Sequence, residues 1–240
     1  MRILLIADIH GNWPALQAVA TEPHDLCLCV GDLVDYGLEP GPVVNWVREN
    51  AKYAVRGNHD HGAVQNVFVH GKAGFKYLTG VTRALTRERL SKEDLRFLGK
   101  LPVSCMVSLE TTRFLLVHAS PRDPLDEYSP ADPDFWARRL QNIDVDVVCV
   151  GHTHQPYVLQ VADKLVINPG SVGQPRDGDP RASYAVIQDY KVELKRIEYP
   201  IEKTLEVIQA SSLSDVGKEM LCEAFRRGQS PMTNGQHRGL

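Results

Sequence analysis

Eight residues of types that bind metal ions or transfer protons stand in five short segments of this chain. The segments are Asp8-Ile9-His10, Gly31-Asp32, Gly57-Asn58-His59-Asp60, His118 and Gly151-His152-Thr153-His154. Their carboxylate, amide and imidazole donors are sufficient for two adjacent metal ions and leave one histidine for proton transfer. The set contains no thiolate, which argues against a structural zinc site and suits Mn²⁺, Fe or Zn²⁺. The pattern predicts a hydrolase with two divalent metal ions as cofactors.

Each of the five segments follows an apolar run that is typical of a buried strand. The runs are Ile3 to Ala7, Leu26 to Val30, Lys52 to Val55, Thr112 to Val117 and Val145 to Val150. Ligands of open α/β sheets bind beyond the carboxyl ends of the strands, so we expect the five segments to converge. If Asp8-Ile9-His10 is extended, the period of two places Asp8 and His10 on the same side.

The first three strands alternate with helices, which predicts a parallel sheet covered by helices. Asn12 before Trp13-Pro14 indicates the start of the first helix, and residues 40–50 have the spacing of the second. Residues 62–100 and 201–225 are predicted to be mainly helical, whereas short strands predominate between them. We therefore expect one α/β domain over residues 1–227, followed by a flexible polar tail at residues 228–240.

The composition of the chain limits its partners and its location. The 240 residues carry a net charge of -3 and are 43% hydrophobic, which indicates a globular protein without a basic surface for stable nucleic-acid binding. No apolar stretch approaches the roughly 18 residues of a membrane span, and residues 1–7 are interpreted as a core strand rather than a signal peptide. Five cysteines, mostly in apolar runs, are typical of buried free thiols. We expect a cytoplasmic location.

The order of the five segments resembles the calcineurin-like metallophosphoesterase superfamily over roughly residues 1 to 200. Residues 168–176, Asn-Pro-Gly-Ser-Val-Gly-Gln-Pro-Arg, are similar to the bacterial and archaeal branch that includes small phosphodiesterases and diadenosine tetraphosphate hydrolases. The resemblance implies a four-layer α/β/β/α sandwich. It also implies hydrolysis of a phosphate ester by a hydroxide that bridges two metal ions.

The resemblance assigns a role to each residue of the five segments. The implied ligands of one ion are Asp8, His10 and His154, those of the other are Asn58, His118 and His152, and Asp32 bridges the two. His59 is then the catalytic histidine, which protonates the leaving group. Asp60 corresponds to the acidic residue that orients His59.

Two arginines are candidate substrate contacts. Arg176 is interpreted either as a phosphate or ribose contact or as a residue that stabilises its loop. Arg56 matches a phosphate-binding arginine of the protein-phosphatase branch. The second arginine of that branch is missing, because Asp35-Tyr36-Gly37 follows Gly31-Asp32, and this argues against a protein substrate.

Residues 61–80 adjoin the predicted site in sequence and are a candidate lid with His61 at its rim. Tyr36, Phe68 and Tyr77 could stack on a base, although packing in the core or rim is the alternative for each.

Several functions are compatible with these residues. The leading hypothesis is hydrolysis of a small phosphodiester or nucleotide, and a second is cleavage of dinucleoside polyphosphates. A non-catalytic interaction scaffold, like the retromer subunit with this fold, is disfavoured because His59 and every implied ligand are retained. The expected partner is a small phosphorylated substrate, with no membrane contact. Assembly into a homo-oligomer is also compatible with the sequence.

Overall fold

The computed structural model describes residues 1–189 and 191–230 and confirms the α/β sandwich. The strands are β1 (Arg2–Ile6), β2 (Leu26–Cys29), β3 (Ala51–Ala54), β4 (Ser104–Leu109), β5 (Thr112–Val117), β6 (Val147–Cys149), β7 (Tyr157–Val161), β8 (Lys164–Asn168), β9 (Ala182–Gln188) and β10 (Lys191–Ile197). The helices are α1 (Trp13–Val19), α2 (Pro40–Asn50), α3 (Asn58–Gln65), α4 (Gly74–Arg89), α5 (Lys92–Lys100), α6 (Pro133–Arg139), α7 (Ile201–Gln209) and α8 (Asp215–Arg227).

The strands form two five-stranded mixed sheets. The first has the order β10-β9-β1-β2-β3, in which β1, β2 and β3 are parallel and β9 runs antiparallel to both β1 and β10. The second has the order β4-β5-β6-β8-β7, with β5, β6 and β8 parallel and antiparallel strands at both edges. Each sheet therefore contains three adjacent parallel strands, whose carboxyl ends can carry a site.

The apolar residues of β1 show how the layers pack. Leu4 and Ile6 lie in a core cluster with residues of α1, α2 and α5, whereas Ile3 and Leu5 pack against residues of the second sheet. Successive strand side chains point to opposite faces, so a strand that is apolar throughout is covered on both sides. The far face of the second sheet packs on Trp136 of α6. The layers are thus helices, sheet, sheet and helix, as predicted.

Each segment that was predicted to be mainly helical is divided into shorter helices, and capping residues mark the start of some of them. Residues 62–100 contain the second half of α3 and all of α4 and α5. Ser91 and Asp94 form the expected capping box, in which the Ser91 Oγ accepts from the Asp94 N–H at 3.0 Å. The predicted helix 201–225 is two helices, because Ser214 caps a new one. The Gly228 carbonyl accepts a hydrogen bond from the Gly178 N–H, and residues 231–240 of the predicted tail lie outside the described residues.

The cysteines are free thiols in the structure. Four of them are buried and Cys105 is half-buried. Burial raises the pKa of Cys27 to about 12, so this thiol stays protonated and packs as an apolar group. Within residues 1–189 and 191–230, no helix has the length and apolar character that a membrane crossing requires.

Candidate metal centre and active site

Five of the seven predicted ligands lie in turns that follow the strands and have unusual backbone angles. Asp8, His10 and Asp32 have φ values of 53°, 48° and 55°, and His152 and His154 have values of 66° and 58°. Residues other than glycine rarely adopt this left-handed region, and such residues cluster at functional sites. Asp8 and His10 therefore converge through a turn, which corrects the expectation of an extended segment.

Two glycines make room for the carboxylates of the cluster. A Cβ atom on Gly57 would lie 2.0 Å from the Asp32 Oδ1, and one on Gly151 would lie 2.8 Å from the Asp8 Oδ2. Both distances are far below a van der Waals contact. Any larger residue at Gly57 or Gly151 would displace a carboxylate from the cluster.

The donor atoms converge in two groups that share Asp8. The members of one group are Asp8, His10 and His154, those of the other are Asp8, Asp32 and His118, and the donor atoms of each group lie within 4.8 Å of one another. The Nε2 atoms of His10 and His154 are 3.1 Å apart, and the Asn58 Oδ1 lies 3.1 Å from the His118 Nε2. His152 completes the cluster, with its ring centroid 5.2 Å from that of His118. The structure thus brings all seven predicted ligands together.

Main-chain carbonyls orient three of these histidines. The Nδ1 atoms of His10, His118 and His154 lie 2.9, 2.8 and 2.5 Å from the carbonyl oxygens of Val34, Val30 and Gln174. A carbonyl only accepts hydrogen bonds, so each Nδ1 carries a proton. This leaves Nε2 as the ligand atom, which is the arrangement found at metal-binding histidines.

The electrostatics of the cluster fit a divalent cation. Among the described residues, the buried Oδ2 of Asp32 has no hydrogen-bond partner. Burial raises the pKa of Asp8 to about 7 and lowers that of His10 to about 3. Burial would also lower the pKa of His118, yet the adjacent Asp32 raises it to about 10. The site therefore favours positive charge, which a metal ion would supply by displacing this proton.

His59 is oriented by Asp35. Its Nδ1 lies 2.7 Å from the Asp35 Oδ2, and its ring centroid lies 4.9 Å from that of His10. Asp35 is fully buried and is also bound by Arg83 of α4, whose Nε donates to both carboxylate oxygens at 2.9 Å. Burial opposes ionisation of Asp35, but His59 and Arg83 lower the pKa of this carboxyl. Asp35 therefore stays ionised beside the imidazole.

Asp60 has a different role from the one expected. Its carboxylate accepts the backbone N–H groups of Asp32, Leu33 and Gly57 at 2.9, 2.8 and 3.0 Å. The expectation that Asp60 orients His59 is wrong, because α3 begins at Asn58 and consecutive helical side chains point roughly 100° apart. Asp60 instead joins the turns that carry two of the ligands. Sequence reasoning missed Asp35, although a carboxylate three residues after Asp32 was visible.

A cavity of about 560 Å³ adjoins the cluster. It is lined by Asn58, His59, His152 and His154 and by apolar residues that include Val67, Val69 and Phe75. His61 also lines it, as predicted for a rim residue, and residues 61–80 supply much of its surface. The segment that was predicted to adjoin the site therefore forms one of its walls.

The two candidate substrate arginines differ in position. Arg176 lines the cavity, with its Cζ 3.8 Å from the ring centroid of Phe75 and its Nη2 donating to the Gln174 Oε1 at 3.1 Å. Arg56 is not among the described residues that line the cavity. Its Nη1 donates to the Gly99 carbonyl at 3.3 Å. The structure thus gives Arg56 a hydrogen bond to the backbone near the end of α5, against the expectation of a substrate contact.

The three aromatic residues that could stack on a base differ in burial and in surroundings. Tyr36 is 2% exposed, its hydroxyl accepts a hydrogen bond from Thr79, and its ring lines the cavity. Tyr77 packs in the cluster formed by α4, α7 and α8. Phe68 is 74% exposed, and its ring contacts that of His70. Packing thus accounts for Tyr36 and Tyr77.

Residues 1–191 match the model of the calcineurin-like phosphoesterase superfamily domain. The chain belongs to this superfamily. The crystal structure of a metallophosphoesterase from Sphaerobacter thermophilus has a TM-score of 0.79 and 31% identity to this phosphoesterase, covering 95% of this chain and 99% of that one. An uncharacterised protein from Methanocaldococcus jannaschii is 32% identical, over 89% of this chain and 94% of its own length. The phosphodiesterase YfcE of Escherichia coli K12 is 27% identical, over 79% and 88% of the two chains.

These similarities confirm the resemblance that the five segments indicate. The phosphoesterase is a metal-dependent phosphoric ester hydrolase with the sandwich fold of its superfamily.

Proposed function

We propose that this phosphoesterase binds two divalent metal ions and hydrolyses a small phosphodiester or nucleotide. The position of Asp32 carries the proposal. Its Oδ2 lies 3.8 Å from the His10 Nε2 and 3.2 Å from the His118 Nε2, and so close to a histidine of each proposed metal site. A carboxylate in this position can serve two ions at once.

The proposed ligand sets follow from this position. One ion would be held by Asp8, His10 and His154, the other by Asn58, His118 and His152, with Asp32 bridging them. When bound, two such ions neutralise the charge on the phosphate oxygens and lower the pKa of water. Histidine and carboxylate donors accept Mn²⁺, Fe or Zn²⁺, so the donors are compatible with several native metals.

His59 would protonate the leaving oxygen of the substrate. It lines the cavity, and the contact of its Nδ1 with Asp35 at 2.7 Å fixes the orientation of the ring. The proton would leave from Nε2, the ring nitrogen that is not bound to Asp35. General acid catalysis of this kind contributes about 10²–10⁴-fold to the rate.

The cavity supports a small phosphorylated substrate. Arg176 offers a permanent positive charge beside the cluster, and we propose that it contacts a phosphate or ribose of the substrate. Val67 and Val69 offer apolar surface to an uncharged leaving group such as a nucleoside. The volume of about 560 Å³ lies within the roughly 300–1,000 Å³ of small-molecule sites.

Metal analysis and a substrate panel test the proposal. We expect two ions per chain after reconstitution with Mn²⁺, Fe²⁺ or Zn²⁺, and hydrolysis of bis-p-nitrophenyl phosphate by the loaded protein. Cyclic nucleotides, mononucleotides and dinucleoside polyphosphates would then identify the preferred substrate. Absence of both bound metal and turnover would contradict the proposal and favour a scaffold.

Substitution of His59 tests the assignment of the general acid. We expect His59→Ala to retain both ions, because the ring is not a ligand, and to lose about 10²-fold or more in turnover. His24→Ala is the matched control, since His24 contacts the Glu22 carbonyl away from the cavity. Full activity of metal-loaded His59→Ala would exclude this role.

A further inference from the structure

A buried arginine of α4 binds the Asp35 carboxylate that orients His59, and this arginine also lines the cavity. Arg83 is 7% exposed, its Nε donates to both oxygens of Asp35 at 2.9 Å, and its Nη2 donates to the Oδ2 at 2.5 Å. We propose that Arg83 is a positioning residue, which fixes the Asp35 carboxylate and thereby aims His59 at the leaving group. This inference rests on the proposed role of His59.

The contacts of the carboxylate explain why an arginine is needed. The Oδ2 of Asp35 accepts from both Arg83 and the His59 Nδ1, whereas the Oδ1 accepts from Arg83. A guanidinium that binds both oxygens prevents rotation of the carboxylate. The plane of the carboxylate in turn fixes the direction in which Oδ2 accepts the His59 N–H. Without Arg83, the imidazole would lose a fixed hydrogen-bond acceptor.

The surroundings of Arg83 are built to admit it. A Cβ atom on Gly62 would lie 2.2 Å from the Arg83 Nη1, so a larger residue at this position of α3 would displace the guanidinium. The same Nη1 donates to the Val67 carbonyl at 3.2 Å, and Val67 lines the cavity. Arg83 thus joins a wall of the cavity to the residue that orients His59.

Other residues of α4 hold the same turn. Thr82 Oγ1 accepts the Tyr36 backbone N–H at 3.2 Å, and Thr79 Oγ1 donates to the Tyr36 hydroxyl at 3.0 Å. Asp35 and Tyr36 both have left-handed φ values, of 68° and 60°. Contacts from α4 therefore stabilise the strained turn that presents Asp35, and Arg83 supplies the charged contact among them.

Arg83 takes no part in the bond changes. In the proposed step a hydroxide derived from water forms a new bond to phosphorus, and the P–O bond to the leaving group breaks. The leaving oxygen takes the electron pair of that bond and the proton of the His59 Nε2–H bond. Solvent then returns a proton to Nε2. Arginine stays protonated throughout, so its contribution is to the orientation of His59.

Leaving-group dependence distinguishes positioning from general damage. A poor leaving group such as phenolate or an alkoxide needs protonation more than p-nitrophenolate does. We expect Arg83→Met to lower kcat about 10- to 100-fold for a phenyl diester and less than about 5-fold for a p-nitrophenyl diester, with little change in KM. Arg83→Lys should recover part of the loss, because lysine retains the positive charge but lacks the planar guanidinium that binds both oxygens of Asp35.

Arg87→Met is the matched control. Arg87 lies one turn further along α4 and donates to the Ala63 carbonyl of α3. Its removal should change kcat for the two diesters by the same small factor. An equal loss for both diesters in Arg83→Met would overturn the inference. If Arg83→Met does not fold, the same comparison between Arg83→Lys and Arg87→Met decides.

A double substitution and a spectroscopic measurement complete the test. In a His59→Ala background, Arg83→Met should cause no further loss with the phenyl diester, and a full additional loss would contradict the inference.

In the metal-free protein, the low-field proton resonance that His59→Ala removes should shift in Arg83→Met and not in Arg87→Met. An unshifted resonance would also overturn the inference. Absence of turnover in the wild-type protein would instead reject the proposed function, independently of this resonance.

Discussion

The strand-end turns and the helical segment formed by α3 and α4 meet at one cavity but hold their histidines differently. In the turns, carbonyl oxygens of Val30, Val34 and Gln174 orient the ligand imidazoles. On the helical side, side chains orient His59 of α3: Asp35, from the turn after β2, binds its ring, and Arg83 of α4 binds Asp35. A carbonyl anchor is retained whatever side chain its residue carries, whereas a side-chain anchor is lost by one substitution. Metal binding should therefore be more robust to substitution of the anchoring residues than general acid catalysis.

The two regions also differ in exposure. Asp8, His10 and His118 are fully buried, whereas Val67 and Phe68, between α3 and α4, are 46% and 74% exposed. Buried donors have fixed positions and strong electrostatic interactions. Exposed residues with few apolar contacts belong to the less stable parts of a protein. Substitutions of the buried donors should change metal content, and those in the segment between α3 and α4 should change kcat or KM.

Asp32→Asn should have the largest effect, because it removes the charge of the proposed bridging ligand while preserving shape. We expect loss of bound metal and a fall in kcat of at least about 10³-fold, with the fold retained. Elemental analysis, turnover and thermal unfolding measure the three quantities. Asp163→Asn, at an exposed turn paired with Lys164, is the control. Normal metal content and turnover in Asp32→Asn would contradict the bridging role.

Arg176→Ala should have an intermediate effect and should separate substrate binding from metal binding. Its guanidinium lines the cavity and stacks on Phe75. We expect KM to rise about 10-fold while both ions remain, because a charged hydrogen bond contributes roughly 1.5–3 kcal/mol. Arg181→Ala is the control, since Arg181 is exposed and paired with Asp179 nearby in the chain. An unchanged KM would assign Arg176 to loop stabilisation.

The sequence predicted the ligand cluster well because its signals are local. Each donor segment follows a strand, and the parallel strands of the two sheets bring their carboxyl ends to one site. The backbone conformation at Asp8 and His10 was predicted incorrectly, because both residues have left-handed φ values and do not form an extended segment. Donor identity and strand order thus fix the site more strongly than local conformation does.

The orientation of His59 could not be predicted in the same way. Asp60 is adjacent in sequence but points away, because the start of α3 determines which side each residue faces. Arg83 contacts Asp35 across 48 positions of the chain, a pairing that depends on how α4 packs. The break between α7 and α8 was missed for a different reason: Ser214, the capping residue before Asp215, was a signal that was not used.

Arg56→Ala should have the smallest effect and sharpen the boundary between the two regions. Arg56 follows β3 and directly precedes Gly57, yet its Nη1 donates to the Gly99 carbonyl near the end of α5. The loss of one such contact should lower the free energy of unfolding by about 1 kcal/mol, measured by urea denaturation. Part of this loss is offset, because the buried Nε of Arg56 has no hydrogen-bond partner among the described residues. We expect kcat/KM to stay within about 2-fold of the wild-type value, since Arg56 is not among the described residues that line the cavity. A rise in KM as large as that of Arg176→Ala would return Arg56 to the substrate site and extend the cavity toward α5.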